Sequence, residues 1–267
     1  MAINGPDADR HQTPPAQGRL DPILAPNPNN PMASARSFRR RIWRLAWRSL
    51  LAFVLLSEAL VLPLRWLPPA TSAVMLERWA SARLRGDAHF RIHYRWVPWH
   101  AVSPWAPLAM VAGEDQTFPT NWGFDFGEIR DAIVAADHGA RLRGASTITQ
   151  QTAKNLFLWD GRSFVRKGIE AWFTVLLTLN LPKQRILTIY MNIAELGNGI
   201  FGVDAASRAY FHEAPASLSP REAALLAATL PNPHVYHAQY PSTYVLNRAA
   251  WIEQQMRQLG GPAYLPR

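Results

Sequence analysis

The sequence predicts a mainly α protein attached to a single N-terminal transmembrane helix, and three observations lead to that class. Apolar residues recur with a helical period through most of the chain beyond residue 71. Pro104, Pro182 and Pro220 each stand where a first helical turn tolerates proline. Residues 50–64, LLAFVLLSEALVLPL, form an apolar run bounded by Arg48 and Arg65.

In chain order, the first 32 residues are rich in Pro, Asn, Ala and Asp and lack an apolar period, and the arginine cluster Arg39, Arg40, Arg41 and Arg44 follows. Residues 1–41 are therefore read as a disordered basic arm, 42–67 as the anchor and 68–267 as the folded domain. The 15 residues 50–64 rise about 23 Å, short of the roughly 30 Å hydrocarbon core. The Arg48 and Arg65 stems can snorkel, and Trp47 and Trp66 suit the interface, so the span is short but workable. Glu58 costs about 3 kcal/mol at a helix centre. Seven Leu, two Val and one Phe return about 5 kcal/mol, and insertion wins. The arginines on the N-terminal side put that end in the cytoplasm and the domain across the membrane. A cleaved signal peptide is the alternative, but Leu64–Pro69 has no small-residue cleavage site.

Met75–Arg85 is amphipathic, and His89–Val97 alternates like a short strand that ends at Pro98. Helical periods follow over Ser103–Glu114, Asp125–His138, Thr147–Leu156, Ser163–Asn180, Pro182–Ile193, Val203–Phe211, Ser219–Leu230 and Ser242–Leu259, with Ser103 and Ser219 as N-caps. The dense run Ala171–Leu181 is too short to span and follows a charged turn, so it is read as a buried core helix.

Composition removes several functions. The chain has no cysteine, which excludes a disulfide framework, a thiol nucleophile and a zinc-thiolate site. Of the net charge of +9, +5 lies in the first 48 residues, so the body is not evenly basic and no nucleic-acid partner is expected. There is no GxGxxG, P-loop or DxD-type acid cluster.

Three stretches carry candidate chemistry. In Gly113–Asp125, GEDQTFPTNWGFD, Glu114 and Asp115 are neighbours projecting about 100° apart, so one can face a cleft while the other anchors the loop. They sit at a helix C-terminus, where the dipole disfavours carboxylates; the readings are a catalytic acid or a pair held by a nearby arginine. Thr147 with Gln150 three residues on predicts a capping box. Gln150 and Lys154 share a face, giving either an anion site at a helix N-terminus or simple capping. The three lysines, Lys154, Lys167 and Lys183, fall within 30 residues, and Arg162, Arg166 and Glu170 lie among them. Arg166 and Glu170 are spaced i, i+4, as in a plain helix salt bridge. Together, one basic carboxylate, a second carboxylate and a cation cluster fit glycosyl transfer from a phosphate-activated sugar. Leu156-Phe157-Leu158-Trp159, directly after Lys154, is either internal packing or a segment that dips into a bilayer.

GEDQTFPTNWGFD, GASTITQQTAKNLFL, Arg166–Glu170, Lys183–Asn192 and GNGIFGVDAASRAYF occur in order and close spacing. Over roughly residues 45–260 the chain resembles the family 51 glycosyltransferases, in their monofunctional biosynthetic peptidoglycan branch. The resemblance implies a lysozyme-like, two-lobed α domain acting at the outer face of the inner membrane on lipid II and the growing glycan strand. Glu114 would be the general base, Asp115 its support, and Glu170 would position the donor. Lys154, Arg162, Arg166 and Lys167 would hold the pyrophosphate, and Ser146, Thr147, Gln150 and Gln151 would line the cleft. No cofactor is expected to be tightly bound, and Mg2+ would arrive with the pyrophosphate. Penicillin-binding and divisome or elongation proteins are the protein partners it implies. Asn121 stands where the family's first motif usually has histidine; it is assigned to the substrate cleft, where it cannot titrate. A wall-cleaving muramidase or lytic transglycosylase is the rival enzyme, and an inactive membrane scaffold the rival non-enzyme.

Overall fold

The computed structural model describes residues 31–127, 130, 146–161 and 163–266. The chain divides into two compact units, residues 1–52 and 53–267. Helix α1 (Pro31–Val61) begins in the first, so residues 31–41 are helical where the sequence reading continued a disordered arm. The difference follows from propensity: Ala, Arg and Met there are good helix formers, and the apolar helix behind them supplies the nucleus. Residues 1–30 lie outside the described part, as does most of the expected Asp125–His138 helix. Arg39–Arg65 is long and apolar enough to cross a membrane.

In the second unit α1 ends in a 3-10 turn, Leu62–Arg65. Helices α2 (Ala73–Leu84), α3 (Trp105–Glu114), α4 (Ile148–Phe157), α5 (Phe164–Asn180), α6 (Lys183–Ile193), α7 (Val203–Tyr210), α8 (Pro220–Thr229) and α9 (Thr243–Gln258) follow. Their starts match the capping signals: Thr147, Ser163, Ser219 and Ser242 each accept a backbone N–H of the first turn, and Thr147/Gln150 and Ser219/Glu222 form full capping boxes. Ser103 departs from the expectation. Pro104 takes the N-cap position of α3, and the Ser103 hydroxyl donates to the Leu218 carbonyl instead, tying α3 to the start of α8. The predicted strand His89–Val97 contracts to β1 (His93–Tyr94). It pairs in parallel with β3 (Ile200–Phe201), which pairs antiparallel with β2 (Glu195–Gly197).

Helix α3 is buried on all sides from Ala106 to Ala112 and packs on α6, α8 and α9. Helix α4 packs on α2, α5 and α6. The two groups meet at the α3 C-terminus and the α4 N-terminus, where the acid pair sits. The apolar run after Lys154 turns inward: Leu156 and Leu158 are buried, and Phe157 stacks on Phe173 with ring centroids 4.2 Å apart. Internal packing is therefore the role of that segment, and only Trp159 is exposed.

Glu58 also finds its explanation. Its carboxylate accepts from the Asn180 side chain at 3.1 and 3.4 Å, and Arg65 donates to the Asn180 carbonyl at 2.7 Å. A carboxylate in an apolar helix is thus met by a hydrogen-bond donor at the end of α5, which lowers the cost of burying it.

Candidate active site

Glu114 is the last residue of α3 and Asp115 follows at its C-cap. The two carboxylates divide their work as the 100° offset implies. Asp115 is buried and accepts from the Ile148 N–H at 3.0 Å, the Thr117 hydroxyl at 3.1 Å and the Asn121 amide at 3.0 and 3.1 Å. It thereby fixes the α3–α4 junction and places a negative charge at the positive end of α4. Burial outweighs these bonds and pushes its pKa up. Glu114 instead faces Gln151, whose amide donates to Oε2 at 2.9 Å. Burial is the main cause that raises its pKa too; the Gln151 bond and the Arg248 charge oppose the rise, and Asp115 adds to it.

Gln151 is held from behind. The hydroxyl of Tyr190, which is wholly buried in α6, donates to Gln151 Oε1 at 2.8 Å. With its oxygen occupied, the amide can present only N–H to Glu114. Arg248 of α9 donates to the Gly113 carbonyl at 2.7 Å, one residue before Glu114, and lies over the Trp251 ring. The sequence reading passed over both Tyr190 and Arg248. Tyr190 lies seven residues after Lys183 on one helix face, which was the available signal. Arg248 carries none, because only the fold brings α9 to the end of α3.

Asn121 is committed to the frame. Its amide N–H groups go to Asp115, and its carbonyl accepts from Lys183 Nζ at 2.7 Å and from the Gly123 N–H at 3.0 Å. Lys183 lies over the Phe118 ring, and desolvation lowers its pKa to about 8 despite Asp115. Asn121 thus bridges Asp115, which needs a donor, and Lys183, which needs an acceptor, in one small side chain. Gly123 beyond it has φ +86°, and a Cβ there would fall 2.5 Å from Thr178 Oγ1.

The cation set surrounds a cavity of about 220 Å3 lined by Ser146, Gln150, Gln151, Lys154, Asn155, Arg166, Lys167 and Glu170. Glu170 is almost fully buried; Arg166 binds one of its oxygens at 2.7 Å and Lys167 the other in a short contact. Arg166 also donates to the Gly161 carbonyl, and Lys167 to the Ser146 hydroxyl at 3.3 Å. Lys154 pairs loosely with Asp160 at 3.6 Å. Arg166 and Lys167 thus share one inward carboxylate and Lys154 has its own partner, three cations against two carboxylates, which leaves net positive charge at the cavity wall. Thr147 is buried, and its hydroxyl donates to the Gly123 carbonyl at 2.6 Å, while the Gln150 carbonyl oxygen closes the cap. Arg162 lies outside the described residues. A second cavity of about 290 Å3 shares Gln151, Lys154 and Asn155 with the first and continues to Tyr190, Glu195, Asn232 and His234. Among the described residues no three His, Asp or Glu side chains converge as a metal site.

A mainly α domain with one cleft carboxylate, a cation-lined cavity beside it and an apolar anchoring helix defines a membrane-associated sugar-transferring enzyme. The family comparison agrees: residues 85–257 match the model described as Transglycosylase, and the chain belongs to that family, the family 51 glycosyltransferases. Among curated relatives it is 52% identical over 225 residues to the biosynthetic peptidoglycan transglycosylase of Cronobacter sakazakii, covering 84% of this chain and 93% of the relative. It is 51% identical over 232 residues to the protein of that description from Chromohalobacter salexigens, covering 87% and 99%.

Proposed function

We propose that the chain is a peptidoglycan glycosyltransferase that polymerises lipid II into β-1,4 glycan strands. The observation that carries this reading is the placement of Glu114, through Gln151, on the wall next to a cavity walled by Lys154, Arg166 and Lys167. Glu114 takes the proton of the acceptor 4-hydroxyl as the oxygen attacks C1 of the donor MurNAc. The C1–O bond to the diphosphate breaks, and its electron pair leaves with undecaprenyl pyrophosphate, inverting C1. A carboxyl with a raised pKa is the better base near neutral pH. The diphosphate gains one negative charge as it leaves and spreads it over its phosphoryl oxygens, so cations suffice where a departing sugar needs an acid. This distinguishes synthesis from the muramidase reaction.

Glu170 acts on the substrate only through Arg166 and Lys167, whose directions it sets. With both of its oxygens so engaged, it does not fit as a metal ligand, and a divalent ion would enter bound to the diphosphate. The second cavity offers the amides of Asn155 and Asn232 and the charged Arg78 and Glu195 without the Arg166–Lys167 pair, which suits the other sugar substrate. The arginines before the apolar helix put the N-terminus in the cytoplasm and the catalytic unit on the outer face of the inner membrane.

The test is to incubate the full chain with lipid II and, separately, with finished sacculi. Glycan polymer from the first supports the reading, and muropeptides released from the second would sink it.

A further inference from the structure

We propose that Tyr240 and Tyr244, with Tyr236 stacked on Tyr244, form a surface that holds the growing glycan strand beyond the reaction centre. The inference rests on the glycosyltransferase reading and extends it from the bond being made to the polymer already made. Residues 231–247, PNPHVYHAQYPSTYVLN, hold three of the chain's seven tyrosines and no Asp, Glu, Lys or Arg. Both ends of that segment reach the candidate active site. Pro231 to His234 line the second cavity, which Gln151 and Tyr190 line as well. A tight turn follows, in which the Val235 and Tyr236 N–H groups donate to the Asn232 carbonyl at 3.1 and 2.9 Å, so Tyr236 stands one turn from the cavity wall. At the other end Arg248 donates to the Gly113 carbonyl, beside Glu114. Tyr244 precedes Arg248 by four residues on the same face of α9, about 6 Å along the helix axis.

The rings are open to a ligand. Tyr240 is 79% exposed and Tyr244 51%, and the Tyr236 and Tyr244 rings stack with centroids 4.8 Å apart, which fixes the Tyr244 plane. Trp251, one turn beyond Arg248 on that face, is 40% exposed and continues the aromatic surface past Arg248, which lies over its ring. Exposed rings grouped in this way mark a binding site more often than a stray surface feature. A β-1,4 glycan presents faces of C–H bonds, which suit the negative face of an aromatic ring, and rims of hydroxyl and acetamido groups. The exposed side chains of Asn232, Gln239 and Asn247 supply uncharged donors and acceptors around the rings for those rims. Without a cation the segment offers nothing to a diphosphate, which is left to the cavity of Arg166 and Lys167. A strand held on the tyrosines as well as in the cleft stays at high effective concentration between additions, so one chain is extended many times before it is released.

The experiment takes the full chain in detergent and its Tyr240→Ala, Tyr240→Phe and Tyr244→Ala variants, with thermal melting to confirm that each is folded. It reads the affinity for a soluble β-1,4-linked N-acetylglucosamine hexamer by titration calorimetry, and the length of the strands made from lipid II by gel electrophoresis. Either alanine variant should bind the hexamer about 3- to 10-fold more weakly, the loss of one aromatic contact, and should make shorter strands. Tyr240→Phe keeps the ring and should match the parent in both. Alanine variants with the parent's affinity and strand length would overturn the inference and leave the glycosyltransferase reading intact. So would a Tyr240→Ala chain that binds the hexamer like the parent but sediments as a smaller species, which would assign the patch to a second copy of the chain. Ring-dependent hexamer binding by a parent chain that makes no polymer would support the surface and sink the reading on which it rests.

Discussion

Replacing Tyr190 by Phe deletes one hydroxyl from a fully buried ring and leaves the packing in place. That hydroxyl is the donor that fixes Gln151, and Gln151 is the donor that reaches Glu114. Once it is gone, the Gln151 oxygen has no partner and the amide loses the cue that turns its N–H toward the carboxylate. A hydrogen bond to a charged group is worth about 1.5–3 kcal/mol, and about 1.36 kcal/mol corresponds to one pKa unit. Glu114 works deprotonated, burial already raises its pKa, and the Gln151 bond is the largest influence that opposes the rise. Losing that bond therefore moves the acid limb of the rate profile to higher pH. Below the limb the variant should be about 10- to 100-fold slower, with recovery as pH rises. The assay is lipid II polymerisation by the full chain across pH, with thermal melting as a check on folding. A folded variant whose acid limb stays where the parent's is would refute the relay.

Two further substitutions test the frame around the acid pair. Asn121→Ala strips Asp115 of a donor and Lys183 of an acceptor, and should lower stability by about 1–3 kcal/mol in urea titration. Asn121→His, with one nitrogen to accept and one to donate, should retain most of it. Gly123→Ala forces a side chain into a left-handed backbone and against Thr178 and Thr174, and should cost at least about 1–2 kcal/mol. Adding Thr178→Ala should return only the part due to the clash, read as the melting temperature of the double variant.

The capping box at Thr147 and Gln150, the split roles of Glu114 and Asp115 and the cation cluster around Glu170 were all legible in the sequence. Each is local, set by spacings of one to four residues or by a run of like residues. Tyr190 and Arg248 were not, because their meaning comes from contacts with Gln151, 39 residues away, and Gly113, 135 residues away. The Asn121 bridge belongs to the same class: the residue was noticed for what it replaces, but its partner Lys183 is 62 residues distant. Thr147 and Gln150 show a local signal with two uses, since the cap they form engages the Thr147 hydroxyl and the Gln150 side-chain oxygen while Gln150 still lines the cavity. The short strand expected at His89–Val97 contracted further, to His93–Tyr94, because only Ile200 and Phe201 are there to pair with it.

The central claim is that Glu114 takes the acceptor's proton, and the direct measurement is the rate of undecaprenyl pyrophosphate release by Glu114→Gln, with lipid II binding followed in parallel. Glutamine keeps the size and the contact with Gln151 but cannot accept the proton. The account predicts a rate about 10²- to 10⁴-fold lower with binding retained. A Glu114→Gln chain that polymerises within tenfold of the parent would contradict it.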